Sequence, residues 1–208
     1  MTSPTAIAVC TEVLERKSKS FALAARLLGR SERDAIAVIY AFCRHVDDAI
    51  DLAPPADRPR ALDQIRREVD DVFAARTTGH VVLDAFAVVA RAYRIPRTYV
   101  DELVAGMTMD VERARYRTRD ELLLYAYRVA GVVGLLLCHV MGLRDARALP
   151  RAAHLGIAMQ ITNICRDVAE DLEDGRSYLP LELLGFELQH RPAPGSAAHG
   201  AVVHAVER

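Results

Sequence analysis

Two pairs of aspartates give the clearest chemical signal in the sequence, and the first is Asp47 with Asp51. They are four residues apart in a stretch whose apolar residues recur at helical spacing, so they would share one face of a helix. Like charges at this spacing destabilise a helix by about 0.2–0.5 kcal/mol, which a bound cation would offset. Carboxylate oxygens are the ligands that Mg²⁺ prefers, and Mg²⁺ commonly joins one or two of them to substrate phosphates.

The second pair, Asp167 and Asp171, ends a polar stripe that begins at Gln160 and Asn163. The spacing places all four side chains on one side of a helix whose other side is apolar. Two such helices facing each other in a bundle would enclose a metal-bridged diphosphate site with apolar walls. One Asp-x-x-x-Asp pair is weak evidence, but two on apolar helices predict a functional site, because buried charges need partners.

Basic and hydroxyl side chains supply candidate diphosphate ligands. The run from Lys17 to Ser20 offers two ammonium groups and two hydroxyls, the donors that diphosphate oxygens need, although a solvated turn explains such a run as well. Arg44, Arg166 and Arg176 add guanidinium groups. Tyr125 begins the most apolar predicted helix, and by residue type alone it is more typical of a packed core tyrosine than of a catalytic one.

The elements that must position these residues are predicted to be nearly all helical. Apolar periodicity and breaker residues predict helices over 5–28, 32–52, 58–75, 80–93, 97–109, 120–141 and 149–172. Ser31 is the expected N-cap of the second helix, and Thr118 with Glu121 resembles a capping box. Gly131 and Gly134 in the central helix predict a close approach of another helix or a ligand. From residue 187 onward the composition is typical of a loosely ordered tail, so the predicted domain covers residues 1–186.

Composition excludes several classes of protein. The 208 residues are 51% hydrophobic and 26% charged, with a formal net charge of -1, which excludes overall disorder and argues against a nucleic-acid binder driven by bulk charge. No uninterrupted apolar run reaches the roughly 18 residues that span a bilayer, and no signal peptide is recognisable. We therefore expect a cytoplasmic protein, soluble or peripheral at the inner membrane. The four cysteines form no CxxC pair and are expected to be free, and no GxGxxG motif predicts a nicotinamide site.

With these residues in view, the chain resembles the squalene/phytoene synthase family, which condenses two prenyl diphosphates head to head. The resemblance covers about residues 8–186, and the sequences of its motifs are most similar to those of bacterial phytoene synthases. The stretches that carry it are KSKSFALAARLL at 17–28, AVIYAFCRHVDDAID at 37–51, LVAGMTMDVERARYRTRDELLLYAYRVAGVVGLLL at 103–137 and GIAMQITNICRDVAEDLEDGRSYLP at 156–180.

The resemblance implies an all-α, isoprenoid-synthase-type helical bundle and assigns a role to each site residue. Mg²⁺, or Mn²⁺ in its place, would bind Asp47, Asp51, Asn163, Asp167 and Asp171. The expected diphosphate ligands are Ser18, Lys19, Ser20, Tyr40, Arg44, Gln160, Asn163, Arg166 and Arg176. Tyr125 matches the catalytic tyrosine of the family, which joins the four aspartates as the expected catalytic set.

The implied reaction joins two geranylgeranyl diphosphates through a cyclopropylcarbinyl diphosphate to phytoene, with no NADPH. Squalene-type or dehydrosqualene-type synthesis from farnesyl diphosphate is the alternative, because pocket depth sets chain length and the sequence does not place the side chains that limit it. A non-catalytic scaffold member is a further alternative, disfavoured because all four aspartates are present. A diiron bundle is rejected, since its only ExxH, Glu187 to His190, lies in the expected tail.

Family members usually continue for about three helices beyond the GRSYLP segment. From this resemblance we expect C-terminal helices to be missing and one wall of the cavity to be open. The chain would then close the cavity by dimerising or by packing differently, or it would be weakly active or inactive. The sequence leaves the oligomeric state open. Contact with a membrane surface is expected because the product is membrane-soluble.

Overall fold

The structure is a computed structural model that describes residues 2–112, 115–143, 145–186, 188, 190 and 192–207. Over these residues the chain is helical, as predicted, with one isolated β-bridge between Arg115 and Ser177. The helices are α1 Pro4–Lys17, α2 Lys19–Ala25, α3 Arg30–Asp51, α4 Arg58–Phe73, α5 Val81–Ala92, α6 Arg97–Glu112, α7 Arg119–Ala126, α8 Val132–Val140, α9 Ala148–Glu173, α10 Leu181–Leu184 and α11 Ala197–Glu207. A 3₁₀ turn covers Pro55–Asp57, and a π-helical segment covers Tyr127–Gly131.

Two features near the N-terminus differ from the prediction. The first predicted helix is divided at Ser18, whose backbone is extended and whose Oγ accepts the Phe21 N–H at 3.3 Å to cap α2. Helix α3 begins at Arg30 with Gly29, not Ser31, at the N-cap. The Ser31 hydroxyl instead lies 3.0 Å from the Tyr93 hydroxyl on α5, so a tertiary contact replaces the predicted local one.

The core forms where α3 packs against α1, α5, α6 and α8. Phe42 on α3 stacks on Phe86 on α5 with ring centroids 3.8 Å apart, and both rings are fully buried. Full burial of an apolar side chain of this size contributes about 1.5–3 kcal/mol. This packing leaves the polar stripe of α3 on the other side of the helix, where Arg44 and Asp47 are partly buried and Asp51 is exposed.

The central helical stretch Arg119–Val140 joins α7, the π-helical segment and α8. It is long and apolar enough, by length and composition, to cross a membrane, although no uninterrupted apolar run of that length was expected. It packs against α3, α6 and α9, and Val132 and Leu136 are fully buried there. Its apolar character therefore serves the core of the bundle.

Small residues let this stretch and α9 approach closely, as Gly131 and Gly134 predicted. A Cβ on Gly134 would lie 2.5 Å from the Ala152 carbonyl oxygen on α9. A Cβ on Gly156 of α9 would lie 2.8 Å from the Ala130 carbonyl carbon and 2.9 Å from the Gly131 Cα. Because these neighbours are backbone atoms, no rotamer change relieves the overlap, and the helices would have to move apart.

The expected loosely ordered tail differs from the structure. Helix α11 covers Ala197–Glu207, and the His199 N–H donates to the Ser196 Oγ at 3.1 Å near its start. Ala205 of α11 and Leu188 are buried in one apolar cluster with Leu184 of α10 and Tyr125 of α7. Small apolar residues without a strong periodic pattern concealed this helix, which packs through that cluster.

We predict that Gly156→Ala destabilises the protein by about 1–3 kcal/mol, because the added methyl forces backbone apart at the α9 contact. Gly200→Ala in α11 is the matched control: nothing lies within 4 Å of its added Cβ, and the same change there should be neutral or stabilise by up to about 1 kcal/mol. Urea unfolding monitored by circular dichroism measures both. Equal effects of the two substitutions would contradict this account of the helix contact.

Candidate active site

The two predicted aspartate pairs lie on the two longest helices. Asp47 and Asp51 are in the last turns of α3, and Asp167 and Asp171 are in the last turns of α9. All four side chains are partly buried or at the edge of the bundle. Helical spacing fixes each pair on one face, while tertiary packing decides which cavity that face borders.

Arginine side chains contact each of these carboxylate clusters. Arg44 Nη1 is 2.8 Å from Asp47 Oδ2, and its other terminal nitrogen contacts Asp48. Arg176 Nη2 is 2.7 Å from Asp51 Oδ1, which links the segment after α9 to the end of α3. Arg166 pairs with its neighbour Asp167 at 2.6 Å and is otherwise largely exposed. The arginines predicted from the sequence thus form ion pairs with the predicted acidic clusters.

One carboxylate of each pair is held in an unfavourable environment for its charge. Burial, followed by repulsion from Asp51, raises the pKa of Asp47 to about 6. Burial, followed by repulsion from Asp167, raises the pKa of Asp171 to about 6. The hydrogen bond from Arg166 lowers the pKa of Asp167. Both pairs therefore retain negative charge beside apolar surroundings, which a bound cation would stabilise.

Two adjoining cavities connect α3, the central stretch and α9. One, of about 200 Å³, is bordered by Arg44, Asp47, Tyr125 and Gln160, with Leu103 and Met107 of α6 behind them. The other, of about 300 Å³, is mainly apolar and includes Asn163 at its border. Tyr40, Cys43, Val129 and Gln160 line both cavities. A polar end with the Asp47 carboxylate and the Arg44 guanidinium thus continues into an apolar space.

Only some residues of the predicted Lys17–Ser20 run lie close to this site. Burial raises the pKa of the Tyr40 phenol, and the nearby Ser18 side chain has a smaller, opposing effect. The Ser18 and Ser20 hydroxyl oxygens are 3.4 Å apart, whereas Lys19 is exposed. Lys17 Nζ lies 3.7 Å from Asp48 Oδ2, so this residue of the predicted basic run contacts the first acidic cluster.

A cluster that the sequence did not predict surrounds Asp110 at the polar end. Tyr125 donates its hydroxyl to Asp110 Oδ2 at 3.1 Å, and Tyr178 donates to Oδ1 at 3.1 Å. The two phenolic oxygens are 3.4 Å apart, and the ring of Tyr116 packs against both tyrosines. Asp110 and Tyr116 lie in the GMTMDVERARY segment and Tyr178 in RSYLP, so these quoted segments were the available signal.

Backbone contacts between two distant segments hold this cluster together. The β-bridge joins Arg115 to Ser177, and the Leu181 N–H donates to the Tyr116 carbonyl at 3.0 Å. Further along, the Glu182 N–H donates to the Arg117 carbonyl at 3.1 Å. The segment after α9 is thereby fixed beside the start of α7, which brings Tyr178 to Tyr125.

The electrostatics of the Asp110 cluster are those of a buried acid. Burial raises the pKa of Asp110 to about 7, against the opposing effect of the nearby Arg176 guanidinium. Burial also raises the pKa of Tyr125 well above its usual range, with the Asp110 charge adding to the effect. Tyr125 is therefore a phenol at neutral pH, whereas Asp110 exchanges a proton near neutrality.

An all-α bundle in which two aspartate-bearing helices border an apolar cavity is an isoprenoid-synthase type of fold. Comparison with known proteins agrees: the squalene/phytoene synthase family model matches residues 14–208, and the chain belongs to that family. The match continues through residues 187–208, beyond the extent that the sequence motifs indicated.

Named relatives and solved structures lie in the same family. The chain is 43% identical over 177 residues to a 15-cis-phytoene synthase from Paracoccus sp. (strain N81106 / MBIC 01143), covering 82% of this chain and 58% of that protein. It is 37% identical over 206 residues to a 15-cis-phytoene synthase from Pantoea ananas, covering 93% of this chain and 67% of that protein. The chain thus spans roughly three fifths to two thirds of the length of these relatives.

Among solved structures, a dehydrosqualene synthase in complex with a ligand superposes with a TM-score of 0.83 at 30% identity, covering 97% of this chain and 72% of that one. The squalene synthase HpnC from Alicyclobacillus acidocaldarius gives a TM-score of 0.76 at 27% identity, covering 88% of this chain and 71% of that one. The backbone described above is therefore the family's helical fold.

We predict that Asp110→Asn makes the stability less sensitive to pH. A carboxyl whose pKa is higher in the folded than in the unfolded protein stabilises the fold fully below about pH 4 and loses that contribution as the pH rises to about 7. The amide cannot ionise, so the variant should gain about 1–3 kcal/mol over the wild type at pH 8 and little at pH 4. Urea unfolding at the two pH values measures this difference.

The matched control is Asp101→Asn, which makes the same change at an exposed position of the same helix. It should alter the free energy of unfolding by no more than about 0.5 kcal/mol at either pH. A gain for Asp110→Asn that is the same at pH 4 and pH 8 would show that ionisation of Asp110 is not its cause.

Proposed function

We propose that the chain carries the active site of a phytoene synthase, which condenses two geranylgeranyl diphosphates head to head and releases diphosphate. The observation that carries the proposal is the polar cavity bordered by Asp47 and Arg44, which adjoins an apolar cavity bordered by Asn163 of the second polar stripe. The names and the 37–43% identity of the phytoene synthase relatives support this substrate over the 15-carbon diphosphates. The chain spans 58–67% of the length of those relatives, and the activity is proposed for the chain itself.

The donor set fits Mg²⁺. Among the described residues, no three His, Cys, Asp or Glu side chains converge as a preformed metal centre. Mg²⁺ suits this arrangement, because it usually takes one or two carboxylates and completes its shell with waters and substrate phosphates. Asp47 and Asp51 on α3, and Asp167, Asp171 and Asn163 on α9, would hold it. When bound, the metal would neutralise charge on the diphosphate as that group leaves.

The protein's own residues then divide the remaining work. Arg44 and Arg176 form ion pairs with the carboxylates of the first aspartate pair. Their fixed guanidinium groups would bind diphosphate oxygens and stabilise the charge on the leaving group. Gln160 borders both cavities and adds an amide at the polar end, and the Ser18–Tyr40 contact closes the side near α2.

The apolar cavity would hold the prenyl chain and exclude water from the allylic carbocation. Residues that line this cavity recur along the central stretch from Val129 to Met141. These two residues are twelve apart in sequence, which corresponds to about 18 Å along a helix. The double bond of the second prenyl diphosphate attacks carbon 1 of the cation, and loss of a proton closes a cyclopropane ring. A second ionisation, rearrangement and loss of a second proton give phytoene, without a reductant.

A second candidate is condensation of farnesyl diphosphate, favoured by the structural likeness to a dehydrosqualene synthase and a squalene synthase at 27–30% identity. The two candidates use the same polar end of the site and differ in the length of chain that the cavity accepts. Supplying each diphosphate separately, with and without NADPH, and identifying the hydrocarbon product distinguishes them.

We predict that the chain with Mg²⁺ converts geranylgeranyl diphosphate to a 40-carbon hydrocarbon without NADPH, and that chelation by EDTA abolishes this. Asp47→Asn and Asp167→Asn should each lower kcat by about 100-fold or more, since each removes a metal-binding carboxylate. Product extraction and diphosphate release are measured in parallel.

Asp63→Asn is the matched control, because Asp63 is an exposed aspartate on α4 whose recorded ion pair is with Arg66. It should leave the rate unchanged. Full activity of the Asp47→Asn, Asp167→Asn double variant would contradict the proposed site and favour a scaffold role. A wild-type chain that releases no diphosphate would contradict the proposed activity.

The proposal extends to contact with a membrane surface. Met141, Leu155 and Met159 line the apolar cavity yet are 43%, 64% and 41% exposed, so the cavity opens through an apolar lip. Docking this lip on a bilayer would bury it and let a membrane-soluble product leave without crossing water. The protein would then be cytoplasmic and peripheral.

We predict that Leu155→Gln with Met159→Gln weakens binding to phospholipid vesicles by about 10-fold or more, because each lost apolar contact is worth over 1 kcal/mol. Vesicle co-sedimentation measures the partition. The control Val203→Gln changes an apolar residue of similar exposure on α11, away from the lip, and should bind as the wild type does. Equal loss in both variants would argue against docking through the lip.

A further inference from the structure

We propose that Asp110 is a positioning residue that holds the Tyr125 hydroxyl and accepts its proton when the substrate loses one. This inference rests on the proposed function and deepens it, because it assigns a destination to the proton released at ring closure. It concerns a carboxylate that lies outside both aspartate pairs.

The geometry places Asp110 behind Tyr125. Tyr125 lines the polar cavity together with Arg44 and Asp47, where the diphosphate is proposed to bind. That hydroxyl donates to Asp110 Oδ2 at 3.1 Å. The other carboxylate oxygen is occupied by the Tyr178 hydroxyl at 3.1 Å, so the carboxylate is oriented from both sides.

Proton affinities explain why two groups are needed. Burial raises the pKa of Tyr125 well above its usual range, so the phenol is not ionised and its oxygen takes a proton only while giving one up. Burial raises the pKa of Asp110 to about 7, so this carboxylate is suited to take that second proton near neutral pH. A surface aspartate would be too weak a base for the task.

The proposed step balances as follows. The C–H bond at carbon 1 of the former cation breaks, and its electron pair forms the ring bond to carbon 3 of the other prenyl chain. The proton passes to the Tyr125 oxygen while the phenolic proton passes to Asp110 Oδ2. Tyr125 ends as a phenol, Asp110 ends as a neutral acid, and the acid returns its proton to solvent before the next cycle.

The charged and titratable groups around Asp110 come from three elements. Tyr125 is on α7, Tyr178 and Arg176 are on the segment after α9, and Asp51 is on α3. Asp51 favours protonation of Asp110, whereas Arg176 and the two phenolic hydrogen bonds favour the carboxylate. Removing one of those hydrogen bonds should therefore strengthen Asp110 as a base.

The test compares Asp110→Asn with Asp101→Asn, the exposed control on α6. Asp110→Asn should fold, bind substrate with an unchanged KM and lower kcat by about 100-fold or more, because the phenol has no acceptor for its proton. With substrate deuterated at carbon 1, the isotope effect on hydrocarbon formation should increase in Asp110→Asn only. In the wild type the rate should rise with pH around 7, and that rise should be absent in Asp110→Asn.

Tyr178→Phe provides a second, independent variant. Loss of its hydrogen bond should move the rise in rate to higher pH while the protein stays active, a change that a merely structural role would not produce. The inference is overturned if Asp110→Asn keeps the wild-type pH profile and isotope effect, or if Tyr178→Phe leaves the profile in place. A wild-type chain without activity would instead overturn the proposed function, so the two failures are distinguishable.

Discussion

The structure depends on holding several carboxylates together beside an apolar space. Asp47 and Asp171 each lie four residues from a like charge and in partly buried surroundings, and their pKa values of about 6 record the cost. Charge of this kind persists only where partners offset it. Arg44, Arg166 and Arg176 supply that compensation in the chain itself, and a metal-bound diphosphate would supply more of it. The unfavourable energy of holding these carboxylates together would thus favour the binding of a metal-bound diphosphate.

The helical bundle gives this arrangement its rigidity. Helix α3 buries nine residues on its apolar side, which fixes the rotation of the helix and leaves its acidic stripe toward the cavity. Helix α9 is held differently: only Ala153, Ile164 and Leu172 are buried, and glycine contacts with the central stretch set its position. The more open side of α9 is where the apolar cavity meets the surface, at the exposed side chains of Leu155 and Met159.

Much of this could be read from the sequence. Apolar periodicity gave the helices with small errors at their ends, and the Asp-x-x-x-Asp spacing located both acidic pairs because i and i+4 always share a helical face. The family resemblance located Tyr40, Arg44, Tyr125 and Gln160, which line one cavity. These features are local, so a run of a few residues is enough to specify them. The break at Ser18 and the helix over Ala197–Glu207 escaped prediction, since a cap and a packing partner decided them.

The sequence by itself therefore determined the fold class, the family and the two aspartate stripes. Only the tertiary structure decided which residues complete the site. Asp110 and Tyr178 are 68 residues apart, and Asp51 and Arg176 are 125 apart, yet each pair is in hydrogen-bond contact. The spacing of residues along the chain does not predict such contacts, because they form only when the segment following α9 pairs with the segment before α7. The contact of Asp110 with Tyr125 therefore depends on the tertiary fold, while the spacing of the aspartate pairs depends only on the helix.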